Sequence, residues 1–352
     1  MKNLTVFLFG FILLLAVAGI ALYYWYSNSI IMPNGSSKAS VIFEVTSGDS
    51  VEEIADKLVA QGLLKDRWCF IVYAKFNPDL VSKFQAGYFE LSPQNSIVDL
   101  FSLLQKAKNK EDVKLTIIEG LRYDEIADTL AIAFAKEKDS KFDKDEFINL
   151  VENPEQAEFS AEVTQYLKVY KPEGANLEGF LYPDTYFFAK DSTTMEVLEK
   201  LVSTLFNKLT PEDYSKFNSS RYSFYELLTI ASLIQREAFG TDEKPMIADI
   251  IFKRLEQGIN GVKLLQIDAS LLYLGKDWKA DVYRLKNDDN PYNTYKYPGL
   301  PPSPICNPGI DSFKAALNPE ANEYYYYLHD SSGKIHYAKT YSEHLSNINR
   351  YL

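Results

Sequence analysis

The stretch LLTIASLIQREAFG, residues 227–240, places an acid beside a run of hydrocarbon side chains. At about 100° per residue, Glu237 falls roughly 80° from Leu227 and nearly above Ile230, whereas Arg236 points away from the apolar face. Gln235 occupies the opposite shoulder. Of the two polar residues nearest the buried side, only Glu237 can supply a proton. A carboxyl stripped of water holds its proton more tightly, because the charged form loses its hydration. That is what a general acid needs near neutral pH. A boundary glutamate can equally be a solvated helix end, so its neighbours decide the reading.

Those neighbours are rich in amides and aromatics. LLQIDAS supplies Gln266 and Asp268; in a strand these two share one face while Ile267 turns inward. PYNTY brings Tyr292 and Asn293, and PPSPICNPG brings Asn307 among rigid prolines. Upstream, NLEGFLYPDTYFF offers Glu178, Tyr182, Asp184 and Tyr186. Ring faces pack on sugar C–H groups and amides pair with hydroxyl and N-acetyl groups, so this density points to a glycan cleft. Asp268 and Glu178 are candidates for the second carboxylate that a hydrolytic glycosidase needs.

Other chemistries lack their residues. His329, His336 and His344 have no H-E-x-x-H spacing, and Cys69 and Cys306 match no zinc or CxxC pattern. No G-x-G-x-x-G follows a strand. Neither a metal nor a cofactor is expected, and two unpaired thiols are. The net charge of -11, without a long basic run, argues against nucleic acid as a partner.

The elements that must carry these residues begin with MKNLTVFLFGFILLLAVAGIALYYWY, one lysine followed by an uncharged run ending in aromatics. Its length and aromatic end predict a transmembrane anchor over 1–27, with the N-terminus inside and the rest outside the cytoplasmic membrane. YYWY is a poor cleavage site for a signal peptide. Residues 28–40 read as a polar tether. VTSGDSVEEIADKL (45–58) lines up with IIEGLRYDEIADTL (117–130), each a strand, a glycine turn and a short helix. This predicts a small sheet-plus-helix module over 41–112 and a second such unit with connecting helices over 113–170. The remainder, 171–352, would hold the chemistry. It includes a turn-rich stretch, 286–313, and a closing hairpin from ANEYYYYLHD and GKIHYAK.

Quoted in order, EGLRYDEIADTL, LEGFLYPDTYFF, IASLIQREAF, LQIDAS, YNTY, GLPPSPICNPGIDSFKAAL and HYAKTYSEH resemble the membrane-anchored endolytic murein transglycosylases, the MltG or YceG-like family, over roughly 41–350. The resemblance implies an α+β chain: a transmembrane helix, small LysM-like modules, then a mixed α/β catalytic domain. It implies that Glu237 is catalytic and that Gln266, Asp268, Asn293 and Asn307 line the cleft. The family motif commonly carries two acids, as in IxEKE; here Gln235 stands at the first, leaving Glu237 alone. The implied function is cleavage of the MurNAc–GlcNAc bond within nascent peptidoglycan strands, forming 1,6-anhydro-MurNAc ends and terminating strand growth. Peptidoglycan, the membrane and cell-wall synthases are the partners to expect. The competing readings are a noncatalytic wall-binding scaffold and a hydrolytic muramidase that pairs Glu237 with a second carboxylate.

Overall fold

A computed structural model describes residues 14, 17–20, 23–37, 40–106, 113–138, 140–275 and 277–352. The chain divides into two compact units, one of residues 1–112 with 207–210, the other of 113–206 with 211–352.

In the first unit, β1 (Val41–Val45) pairs antiparallel with β2 (Gly87–Leu91), Phe43 opposite Phe89. Helices α1 (Val51–Ala60), α2 (Arg67–Phe76) and α3 (Ile97–Leu103) supply most of the remaining core. Phe43, Leu58, Phe70, Leu91 and Phe101 are completely or almost completely buried there.

In the second unit, β3 (Val113–Thr116) pairs antiparallel with β4 (Thr185–Phe188). Between them lie α4 (Tyr123–Phe134), α5 (Lys144–Glu152) and α6 (Ala161–Tyr170). After α7 (Thr194–Lys208) and α8 (Pro211–Ser219) comes α9 (Phe224–Glu237), the axis of this unit. Ser223 caps α9 by accepting from Glu226 N at 3.2 Å, and the Glu226 carboxylate accepts from Ser223 N at 2.8 Å. Ten α9 residues are buried, from Phe224 to Ile234 with only Glu226 outside. The helix is therefore covered over most of its length, and its last turn, Gln235 to Glu237, is only partly buried. α10 (Lys244–Glu256), α11 (Asp268–Gly275) and α12 (Ile310–Leu317) pack against it. The hairpin β5 (Tyr326–His329) and β6 (Ile335–Ala338) follows, then α13 (Tyr341–Tyr351).

Two expectations need correction. The anchor expected over 1–27 falls largely on residues outside those described. Among the described residues no helix is long and apolar enough to cross a membrane. The single-pass anchor, the membrane as partner and the cell-membrane localisation drawn from it are therefore not supported. The LysM-like modules are not supported either. Residues 113–170 do not close on themselves, because the partner of β3 is β4, far downstream in the second unit.

The matching residues have a local cause. Gly48 and Gly120 both turn with positive φ, +98° and +82°. Glu53 and Glu125 both reach back to accept from the N-cap backbone N–H, at 2.8 and 2.9 Å. Ile54, Ala55 and Leu58, like Ile126, Ala127 and Leu130, are the buried helix face. Matching positions thus record how a strand enters a capped helix, whatever sheet the strand later joins.

Candidate active site

α9 stops at Glu237, where Ala238 turns extended and its N–H bonds back to Ile234 O at 3.0 Å. The final turn sends Gln235, Arg236 and Glu237 into three different surroundings.

Glu237 lines a cleft of about 350 Å³ together with Gln266, Asp268, Arg254, Tyr295 and Tyr327. Its Oε2 accepts a 2.6 Å hydrogen bond from Tyr327 Oη on β5. Burial of the carboxyl pushes its pKa above the ordinary glutamate value, and the negative charge of Asp268 pushes the same way. The Tyr327 hydroxyl, Arg254 and His329 oppose that shift. The carboxyl thus combines access to the cleft with a strengthened hold on its proton, the condition for a general acid.

Asp268 stands at the start of α11 with half of its side chain open to solvent (51%). Its Oδ1 accepts from Tyr295 Oη at 2.5 Å and lies 3.8 Å from Lys286 Nζ. That ammonium sits 4.3 Å from the Tyr295 ring centroid. The segment before it is not a strand. Gln266 adopts φ +54°, a left-handed conformation that costs a non-glycine residue energy. It is held there by Thr294: Gln266 N donates to Thr294 O at 3.1 Å and Ile267 N to the Thr294 hydroxyl Oγ1 at 3.0 Å.

The loop residues divide their work. Asn293, fully buried, donates through Nδ2 to Lys286 O and Asp288 O at 3.0 and 2.8 Å and accepts from Tyr295 N at 3.0 Å. Thr294 pins the Gln266–Asp268 segment, and Tyr295 rather than Tyr292 reaches the cleft. Tyr292 instead shares a 2.7 Å hydrogen bond with Ser303 Oγ.

Asn307, Glu178 and Tyr182, expected to bind substrate, lie in the packed interior and are not among the residues that line the Glu237 cleft. Asn307 is 0% exposed; Nδ2 donates to Glu178 Oε1 at 2.7 Å and Leu121 O at 3.1 Å, while Oδ1 accepts from Leu181 N at 2.8 Å. Glu178, also 0% exposed, further accepts from Tyr123 N at 3.2 Å and from Tyr273 Oη at 3.1 Å. Burial raises its pKa to about 8. Tyr182 is 5% exposed, and its carbonyl accepts from Tyr186 Oη at 2.6 Å. The Asn293 amide is likewise spent on its own loop.

Gln235 is an acceptor. Its Oε1 takes Ser312 Oγ at 2.6 Å and Gly309 N at 3.1 Å at the start of α12, with Lys244 Nζ at 3.5 Å. Lys244 also lies 3.7 Å from Glu119 Oε2. The Glu119 carboxylate occupies the space that a side chain at Gly309 would need. Arg236, which the helical wheel points away from the apolar side, is covered: its guanidinium lies 3.8 Å from the Trp278 ring centroid.

Arg254 and Tyr327 carried no sequence signal for this site. Arg254 is 7% exposed and grips Tyr325 O through Nε at 2.9 Å and Nη2 at 2.7 Å. Its Nη1 holds Leu265 O at 2.5 Å, so one guanidinium fixes the backbone just before both Tyr326 and Gln266. Only the tertiary fold brings the Tyr327 hydroxyl to Glu237; Tyr325, just before β5, donates instead to Gln257 Oε1 at 2.7 Å.

Comparison with known proteins agrees with these signatures. A crystal structure of a yceG-like protein from Listeria monocytogenes superposes with a TM-score of 0.56 at 30% identity, covering 88% of this chain and 99% of that one. The endolytic murein transglycosylase of Bacillus subtilis (strain 168) is 32% identical over 335 residues, 93% of this chain and 89% of its own length. That of Streptococcus pneumoniae (strain D39) is 30% identical across 99% of this chain, which spans 65% of the pneumococcal protein. The sequence model of the YceG-like family matches residues 43–350, and the chain belongs to that family.

Proposed function

We propose that the chain is a lytic transglycosylase that cleaves the MurNAc–GlcNAc bond inside peptidoglycan strands and so terminates their growth. The observation that carries this reading is the Glu237 carboxyl, poorly hydrated, hydrogen-bonded to Tyr327, and open to a cleft walled by tyrosines and Gln266. The names of the Bacillus and pneumococcal relatives, endolytic murein transglycosylases, support the substrate.

In this mechanism Glu237 protonates the oxygen that links muramic acid to the following glucosamine, and the C1–O bond breaks as positive charge develops at C1. The resulting Glu237 carboxylate takes the proton of the muramic C6 hydroxyl while O6 bonds to C1. One group serves as acid and then base, and the proton count closes without water. The products are a strand with a free glucosamine hydroxyl and a strand ending in 1,6-anhydro-MurNAc.

Asp268 in the same cleft favours a second reading, hydrolysis with a paired carboxylate. Glu178 cannot fill that role, being buried in the Asn307 network. Mass spectrometry of digested glycan strands separates the two, since an anhydro end is lighter than a reducing end by one water. Anhydro ends are the expected product; reducing ends alone would replace this reading with hydrolysis.

A further inference from the structure

The two oxygens of the Glu237 carboxyl stand in different surroundings. Oε2 accepts from Tyr327 Oη at 2.6 Å, whereas Oε1 takes no protein hydrogen bond among the described residues. Tyr327 is itself held in place. β5 runs in register with β6, Tyr327 opposite Tyr337, and Arg254 clamps the preceding Tyr325 carbonyl. A phenol so fixed presents its O–H to one carboxyl oxygen and leaves the other without a protein donor among the described residues, on a side chain that lines the cleft.

We propose that Tyr327 is a positioning residue that divides the labour of the Glu237 carboxyl: Oε2 is anchored, and Oε1 delivers the proton to the glycosidic oxygen and receives the one from the attacking hydroxyl. This rests on the function proposed above. A phenol donates more strongly to a carboxylate than to a neutral acid, so the contact tightens after Glu237 has given up its proton. Burial and the neighbouring Glu237 charge keep the Tyr327 hydroxyl protonated, hence a donor throughout the working range.

The other groups that bear on Glu237 are His329 from β5, Arg254 from α10, Asp268 from α11 and Tyr295 from the loop. Lys286 and His344 line the same cleft. Replacing Tyr327 by phenylalanine leaves all of them in place and deletes one hydroxyl.

In Tyr327→Phe the ionised form of Glu237 loses a hydrogen bond, so its pKa rises. The alkaline limb of kcat/KM should move up by about one pH unit, with kcat falling about tenfold or more and KM little changed. A ring-fluorinated tyrosine at 327, a stronger donor that preserves the packing, should move the limb down. Carbon NMR titration of the Glu237 carboxyl should follow both displacements without any turnover. A limb and a carboxyl titration that stay put in both variants overturn the proposal, even if activity drops. If the titrations move as expected but the wild-type enzyme forms no anhydro ends, the Tyr327 anchor stands and the transglycosylase reading falls.

Discussion

Gln235 and Glu237 leave the end of one helix two residues apart and go to different partners. Gln235 binds the start of α12 through Ser312 and Gly309, while Glu237 faces Tyr327 in the cleft. The contacts at position 235 call for an acceptor, which a glutamine supplies as well as the acid that the motif commonly carries there. Gln235→Glu should retain activity within a few-fold of wild type. Gln235→Ala leaves the buried Ser312 hydroxyl without its acceptor and should cost about 1–3 kcal/mol by denaturant unfolding. Loss of turnover in Gln235→Glu with stability intact would assign position 235 a chemical role.

Glu237→Gln should fold with an unchanged melting temperature and still bind glycan strands, while strand cleavage falls by about two to four orders of magnitude. Counting released ends by mass spectrometry checks this. Near-wild-type release would remove Glu237 from the chemistry.

Asp268→Asn separates the two glycosidase readings and carries a signed pH effect. The Asp268 charge raises the Glu237 pKa, so its removal should bring the alkaline limb of kcat/KM to lower pH. A transglycosylase should lose less than about tenfold in kcat and still make anhydro ends. Collapse to the level of Glu237→Gln would identify Asp268 as a second catalytic carboxylate.

Glu178 makes stability depend on pH. Its folded pKa, raised from 4.5 to about 8, means that the folded chain keeps a proton which the unfolded chain has released across that window. Stability should therefore fall as pH rises from about 4.5 to 8, by an amount on the order of a few kcal/mol. Glu178→Gln imitates the protonated form and should flatten that slope without abolishing cleavage. Unfolding curves at several pH values test it; an unchanged slope would mean that Glu178 is ionised in the folded state.

Gln266→Gly exchanges a strained left-handed glutamine for the residue that adopts that conformation freely. The unfolded chain gains entropy, which offsets part of the relief. The melting temperature should stay level or rise while glycan affinity drops through loss of the amide. A clear fall in melting temperature would show that the Gln266 side chain is needed for packing.

Part of the candidate cleft was legible along the chain. Glu237 stood out as an acid beside hydrocarbon, and Gln266 and Asp268 as polar residues two positions apart; all three line the same cleft. The strand–glycine–helix joints at Gly48 and Gly120 were also readable, because caps and turns are made by residues adjacent in sequence. Their resemblance overreached where it implied repeated modules, since a joint does not say which strand its own strand will join.

The amides show the limit most directly. Asn293 and Asn307 have the composition of sugar ligands, yet both are buried and spend their hydrogen bonds inside the protein, Asn293 on backbone and Asn307 on backbone and the Glu178 carboxyl. A polar side chain in a loop serves whichever partner the packing places beside it, and burial makes an unmet partner costly. Sequence alone determined which residues could give or accept a proton and where helices begin. Tertiary structure decided which of them keep contact with solvent, and it brought Tyr327 and Arg254 to Glu237, because burial and hydrogen-bond partnership depend on elements far apart in the chain.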